Sequence, residues 1–251
     1  MAGRAFVLHL TRTTARRDNA REVVAGCGME GEIWPAVDGG ALSSTDLAAC
    51  VGARLFAPAY PFGLSAGEIG CFLSHRQIWA EIVRRDLDFG LILEDDAALA
   101  PDPYANALRL ALANIDMLGL IQFQTRPSDG AATLVDTVGP CVLSVPQQTG
   151  LCSTAQMVSW DAADHLLRLT ESFDRPVGTF VQSHWHTGLR PAAIHPSGVS
   201  DVADTLDDTT MQGRARGVLE NLRREWARYR YRGAVTRASR ESGAPVQGGL
   251  A

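Results

Sequence analysis

Along most of the chain, short apolar runs alternate with longer segments whose apolar positions recur at helical spacing. Residues 5–10, 32–37, 89–94, 118–124 and 153–159 read as strands, and residues 14–25, 66–85, 104–115 and 162–170 as helices. Strand and helix in alternation predict an α/β fold, a mostly parallel sheet with helices on its faces. In the second helix, Ile69, Phe72, Leu73, Trp79, Ile82 and Val83 form the face that packs on the sheet. Ser65 and Glu68 have capping-box spacing, so that helix should begin at residue 66. Asp161, followed by Asp164, supplies an N-cap and an acidic first turn for the fourth helix. Residues 126–150 carry Pro127, Gly130, Gly139, Pro140, Pro146 and Gly150, which predicts a long mobile loop of the kind that serves as a lid or acceptor-binding element.

The strand Phe89-Gly-Leu-Ile-Leu-Glu94 runs straight into Asp95 and Asp96. Three adjacent anions repel one another, so something must offset the cost. In extended geometry Glu94 and Asp96 share one face and Asp95 takes the other. A hard divalent cation, Mn(II) or Mg(II), takes oxygen ligands and lowers the repulsion, and ligand sites in open α/β sheets lie beyond the carboxyl ends of strands. Glu94 and Asp96 are the predicted metal ligands, with Asp95 beside them toward a bound ligand; a plain acidic strand exit is the alternative. Glu68 and His75 fall near the border of the second helix's packing face, within reach of the acidic strand end. Each also has a structural reading, the cap for Glu68 and a hydrogen-bonded border histidine for His75. Cys71 shares that face and reads as a small buried hydrophobe rather than a nucleophile.

The run Gly67-Glu-Ile-Gly-Cys-Phe-Leu-Ser-His75, followed about twenty residues later by Glu94-Asp-Asp96, is far more specific than either piece alone. Together with Phe6-Val-Leu-His-Leu-Thr-Arg12, Arg16-Arg17, Trp34-Pro-Ala-Val-Asp-Gly39 and, more weakly, Ala155 to Leu167, it resembles glycosyltransferase family 25. That family comprises lipopolysaccharide-type sugar transferases and the related domain of collagen galactosyltransferases. The resemblance runs in register over residues 5–198. It implies a GT-A-like Rossmann-type sandwich, a DxD-type metal motif at Glu94-Asp95-Asp96, and inverting transfer of a hexose, galactose most commonly, from a UDP-sugar to a saccharide or lipid-linked glycan. One departure stands out. Where many family members have an Asp after Pro-Val or Pro-Ile, this chain reads Arg175-Pro-Val-Gly178.

Inversion in one displacement needs a base near the acceptor hydroxyl. Glu68, His75, Asp174 and His186 are the candidates, with His184 a further neighbour, and no spacing rule selects among them. Arg12 and Arg16 could fork onto donor phosphates or pair with Asp18 or Glu22. Asp38-Gly39 could contact the nucleotide or ribose, or form a structural turn. Two rival readings use the same residues: a metal-dependent nucleotide-sugar or phosphoester hydrolase, and a non-catalytic sugar-nucleotide or glycan-binding module.

With 251 residues and 46% hydrophobic content, the chain is long enough for one domain, residues 1–212, plus an Arg-rich helical tail, residues 213–251, partly disordered at its end. No apolar run approaches the ~18 residues a membrane span needs. Five scattered cysteines without a Cys-x-x-Cys pair favour reduced thiols and a cytoplasmic protein. All 23 basic residues are arginine. Nine of them fall in the tail against three glutamates, a net +6, which leaves −11 on residues 1–212. The tail reads as a basic amphipathic helix with Val218, Leu219, Leu222, Trp226 and Tyr229 on one side. Residues 213–240 could lie on the anionic inner face of a membrane, or pack on the domain. Nucleic acid is disfavoured because the acidic domain would repel phosphates. A nicotinamide or flavin enzyme is disfavoured because no Gly-x-Gly-x-x-Gly fingerprint is present.

Overall fold

Apolar residues in the strands alternate between two faces, and each face is covered by its own set of helices. The computed structural model describes residues 1–128, 130–206 and 218–245. Its strands are β1 (Gly3–His9), β2 (Gly31–Pro35), β3 (Phe89–Glu94), β4 (Ala97–Leu99), β5 (Leu120–Phe123), β6 (Ala132–Val138), β7 (Cys141–Pro146), β8 (Ala155–Ser159), β9 (Ala192–His195) and β10 (Val199–Asp201). The helices are α1 (Arg17–Gly26), α2 (Ser44–Cys50), α3 (Ala66–Arg84), α4 (Pro101–Leu118), α5 (Trp160–Leu169), α6 (Val177–Gln182), α7 (His184–Thr187), α8 (Ala203–Leu206) and α9 (Val218–Glu241).

Eight strands form one sheet in the order β2-β1-β3-β8-β5-β9-β7-β6, and β4 pairs with β10 in a small ribbon. β1 runs parallel to β2 and β3, and β5 parallel to β9, whereas β8 and β7 are antiparallel to their neighbours. Six of the eight strands therefore point one way, in keeping with the expected mostly parallel α/β sheet. Ala5, Val7, Leu91, Leu93 and Met157 face a core with Ala20, Val23, Leu110 and Ile115 from α1 and α4. Phe6, Leu8, Ile92 and Val158 face the opposite core, with Phe72, Trp79, Leu166 and Phe180 from α3, α5 and α6. The period-2 pleat meeting the 3.6-residue helix period fixes this two-sided packing.

α3 starts where the capping box places it: the Ser65 hydroxyl accepts from Glu68 N at 3.2 Å, and the Glu68 carboxylate accepts from Ser65 N at 2.8 Å. α5 starts differently from the sequence expectation. Its cap is Ser159, whose hydroxyl accepts from Ala162 N at 3.2 Å, and Asp161 lies inside the first turn.

The predicted long loop at 126–150 is mostly a hairpin. β6 and β7 pair from Ala132↔Pro146 to Val138↔Cys141, and Gly139 and Pro140 form the two-residue turn between them. Gly139 has φ 57, the positive value that a tight hairpin needs and that glycine adopts without cost. The glycine and proline that suggested a mobile loop are the turn itself.

α9 lies against the domain. Val235 and Ser239 are buried, and Gln147 donates to the backbone oxygen of Ser239 at 2.6 Å. Residues 213–217 and 246–251 of the expected tail, with the side chains of Val218, Leu219 and Leu222, lie outside the described residues, as do residues 207–212 of the expected domain. Among the described residues no helix is long and apolar enough to cross a membrane.

Candidate active site

β1, β2 and β3 end side by side, at His9, Pro35 and Glu94, against the first turns of α3. Between them lies a cavity of about 350 Å³ lined by Arg12, Arg16, Asp38, Gly39, Glu94, Asp95 and Asp96, with Cys71 and Ser74 from α3. All seven residues predicted for donor or metal therefore meet in one place. The cavity exists because two glycines let the β2 exit press onto α3. A Cβ on Gly39 would stand 1.8 Å from Ala66 O, and one on Gly70 would stand 2.5 Å from Val37 O. Ser74 pins the contact: its hydroxyl accepts from Val37 N at 2.8 Å and donates to Gly70 O at 2.7 Å. Asp38 both makes a turn and faces the cavity. It accepts from Gly40 N at 3.0 Å through one oxygen and from Arg12 Nε at 2.7 Å through the other.

The acid triplet does not continue in extended form. β3 stops at Glu94, and Asp95 and Asp96 form a tight turn into β4, which brings both onto the Arg16 guanidinium. Arg16 Nη1 lies 2.6 Å from Asp96 Oδ2 and 3.4 Å from Asp95 Oδ1. Asp95 Oδ2 is bound by His9 Nδ1 at 2.7 Å, and Asn19 holds the turn's backbone oxygens at 2.7 and 3.0 Å. Arginines 12 and 16 are thus paired with Asp38 and the triplet, not with Asp18 or Glu22.

Burial first, and repulsion from Asp96 second, push the Glu94 carboxyl up to about 7, against a hydrogen bond from Ser153. Burial also raises Asp96, against the pull of Arg16. Asp201, in β10 beside β4, adds to the repulsion on both. Asp201 escaped the sequence reading because it reaches the site only through the β4–β10 pairing, for which the sequence carries no spacing signal.

The residues present fit a hard divalent cation. Asp96 Oδ1 is buried with no hydrogen-bond partner, and Glu94 and Asp96 leave negative charge that Arg16 does not cancel. Among the described residues no three His, Cys, Asp or Glu side chains converge as a complete cage. Mg(II) or Mn(II) would be held here by two carboxylates at most, with water and substrate phosphate completing the shell.

The residues proposed as base are dispersed, and none lines this cavity. Glu68 is held by Ser65 through one carboxylate oxygen, Oε2. Its charge reaches both Cys71 in the cavity wall and Tyr60 beyond it. His75 is fully buried, donates to Cys71 O at 2.9 Å, and is held neutral by burial with its pKa near 4, which removes it as a solvent-facing base. Burial lifts the Cys71 thiol to about 12, so it is no nucleophile.

Asp174 is tied into a buried ion pair. It accepts from Arg175 Nε at 2.7 Å and Phe56 N at 3.2 Å, while Arg175 donates to Phe56 O at 2.8 Å and Pro58 O at 3.2 Å. This pair clamps the 56–58 loop and engages both carboxylate oxygens of Asp174. His186 packs on the Phe56 ring with centroids 4.0 Å apart, and burial, with Arg175, lowers its pKa. His184 is bonded to Gln147 O and Ser239 Oγ at 3.1 and 3.0 Å, a structural tie to α9.

The profile of glycosyltransferase family 25 (LPS biosynthesis protein) matches residues 3–131. A glycosyltransferase 25 family member of Drosophila melanogaster is 42% identical over 112 residues, 43% of this chain and 18% of that protein. The human procollagen galactosyltransferase 2 is 36% identical over 120 residues, 46% of this chain and 19% of that protein. The human inactive glycosyltransferase 25 family member 3 is 38% identical over 96 residues, 36% of this chain and 16% of that protein. The chain thus spans about a fifth of the length of the relatives it matches. The matched region contains β1, β2, α3 and β3, the elements that build the cavity. The chain belongs to glycosyltransferase family 25.

Proposed function

We propose that the chain is a metal-assisted, inverting glycosyltransferase that moves a hexose, galactose favoured, from a UDP-sugar to a hydroxyl of a saccharide or lipid-linked glycan. The observation that carries this reading is the convergence of Arg12, Arg16, Asp38 and the Glu94–Asp96 turn on one cavity at the carboxyl ends of three parallel strands. Arg12, 67% exposed, is free to swing from Asp38 onto a donor phosphate, where its fork matches two oxygens. Asp38 then turns to the nucleoside. Glu94 and Asp96 would hold Mn(II) or Mg(II), which, when bound, neutralises charge on the departing diphosphate.

Glu68 is the proposed base, since it alone among the four candidates stands in the first turn of α3, whose Ala66 and Gly67 line the cavity. The acceptor oxygen forms its bond to the anomeric carbon as the bond to the diphosphate oxygen breaks. The hydroxyl proton passes to Glu68, and the electron pair leaves with UDP. Galactose is favoured because relatives carry the name procollagen galactosyltransferase. A relative named inactive shows that membership alone does not decide turnover. Work on a lipid-linked acceptor at the cytoplasmic face of a membrane would use the outward side of α9, where Trp226 and Tyr229 are 61% and 78% exposed beside Arg230 and Arg237.

A donor screen tests the reading. UDP-galactose should raise the melting temperature in Mn(II) and much less in chelator, because a ligand bound to the native state adds to its stability, and GDP- and CMP-sugars should do little. No shift with any sugar nucleotide would sink the proposal. Release of free hexose with no elongated product over an acceptor panel would replace it with a hydrolase.

A further inference from the structure

A second cavity, about 380 Å³, opens between the 60–62 loop, α6 and α9. Three rings frame it. Tyr60 stands edge-on to Phe62 and to Tyr231, with centroids 5.6 and 5.5 Å away. Arg224 and Arg228 lie over the Phe62 ring at 4.9 and 5.8 Å. Arg228 is paired with Glu225; among the described residues neither Arg224 nor Arg232, which lines the cavity, has a carboxylate partner. The remaining wall carries amides and hydroxyls, from Gln148, Thr179, Gln182 and Thr236, beside the apolar Leu151 and Val235. Gln182 donates to Thr149 O and Thr236 to Gln148 Oε1, which holds these groups in place and leaves further acceptor positions on them.

Rings, amides and unmatched arginine together select a ligand. An apolar molecule would strip water from the arginines without return. A bare anion would leave the rings unused. A sugar ring bearing a carboxylate uses all three, with its C–H face on the aromatics, its hydroxyls on the amides and its carboxylate on a guanidinium. Position adds to chemistry: the charge of Glu68 is felt at Tyr60 in this cavity as well as at Cys71 in the donor cavity. Gly178 sits one helical turn before Gln182 on the same side of α6, and a Cβ there would meet nothing within 4 Å, so the rim is open beside it.

We propose that this second cavity binds an acidic saccharide, a sugar carrying a carboxylate, as the acceptor. The assignment to acceptor rests on the transferase reading; the binding does not. The test is titration calorimetry of the full chain, without donor, using trigalacturonate, the neutral trimer of galactose, and inorganic phosphate. Trigalacturonate should bind at least tenfold more tightly than the neutral trimer and resist displacement by equimolar phosphate. Arg232→Gln, at an exposed position, and Tyr60→Ala should each weaken it about tenfold or more. Gly178→Asp, which adds a carboxylate at the open rim, should weaken it too and leave the UDP-galactose thermal shift unchanged. Equal affinity for acidic and neutral trimers, displacement by phosphate, or indifference to all three substitutions would overturn the proposal. A chain that binds trigalacturonate through these residues but shows no shift with any sugar nucleotide would keep this site and remove the transferase reading.

Discussion

Arg16 Nη1 lies 2.6 Å from Asp96 Oδ2, while the other oxygen of that carboxylate, Oδ1, is buried with no hydrogen-bond partner. The arrangement uses half of the carboxylate to fix the turn and leaves the other oxygen buried and unpaired. Asp96→Asn keeps the shape, weakens the Arg16 contact, and removes a negative oxygen ligand. Metal-dependent binding of UDP-galactose should fall at least tenfold, with the melting temperature in chelator little changed. Unaltered Mn(II)-dependent binding in this variant would take Asp96 out of the metal set.

The same burial predicts an unusual pH dependence of stability in the absence of metal. Glu94 holds its proton up to about 7 in the folded chain, against 4.5 for a solvated glutamate, so over that window the native state carries a proton that the unfolded state has released. Stability from this group is full below the lower value and is lost as pH rises through the upper one. His75 and His184 act oppositely. Their pKa values near 4, against 6.5 unfolded, make the native state lose stability as pH falls through that interval. Glu94→Gln should therefore gain stability over wild type from pH 5 to 7.5, read by urea denaturation in chelator. A difference that stays flat with pH would show that Glu94 titrates normally.

Gly39 tests whether the cavity depends on backbone approach. Its Cβ would meet Ala66 O at 1.8 Å, and backbone cannot rotate away as a side chain can. Gly39→Ala should cost about 1–3 kcal/mol or more, the usual range for overpacking, and abolish donor binding as the β2 exit lifts from α3. Gly63→Ala, with open space around its Cβ, is the control and should bind donor normally. Normal donor binding in Gly39→Ala would mean that the β2 exit can shift without harm to the cavity.

Much of this was legible in the sequence, and the misses have physical causes. β1, β3, α3 and α5 lay within a few residues of their predicted bounds because apolar periodicity and the Ser65–Glu68 cap are local signals. The cavity at the strand ends was legible too, since Arg12, Arg16, Asp38 and Glu94–Asp96, which line it, flank strand ends that the sequence marks. β6 and β7 were missed because their turn residues resemble loop composition, and Leu134, 57% exposed, breaks the buried pattern expected of a sheet. The structural tie of Asp174 was not legible, because its partner, Arg175, looks like a surface arginine in sequence and is fully buried in the fold. Only tertiary packing distinguishes a carboxylate held by a buried guanidinium from one waiting for a substrate.

Asp174 therefore offers a clean test of structural against catalytic role. Removing its charge leaves Arg175 buried without a counter-ion, a loss of about 3–5 kcal/mol for pairs of this kind. Asp174→Asn should lower the denaturation midpoint markedly, and the double substitution Asp174→Asn with Arg175→Met should recover part of the loss. A stable Asp174→Asn protein that binds donor and fails only in turnover would restore Asp174 as the base.

α9 presents two sides, and each makes its own prediction. The inward side buries Val235 and Ser239, bonds to Gln147 and His184, and sets Tyr231 against Tyr60. Truncation after residue 217 should therefore lower the melting temperature of the whole domain. The outward side carries exposed Trp226 and Tyr229, with Arg230 over the Trp226 ring at 4.7 Å. Aromatic rings with basic neighbours favour a headgroup interface, where each arginine adds roughly 1 kcal/mol against anionic lipid. Trp226→Ser with Tyr229→Ser should leave the melting temperature and donor shift intact and reduce sedimentation with phosphatidylserine vesicles at low salt. Raising salt to 0.5 M should produce the same loss in wild type by screening. Binding that survives both the double substitution and high salt would assign vesicle affinity to another surface, and absence of binding by wild type would confine α9 to its packing role.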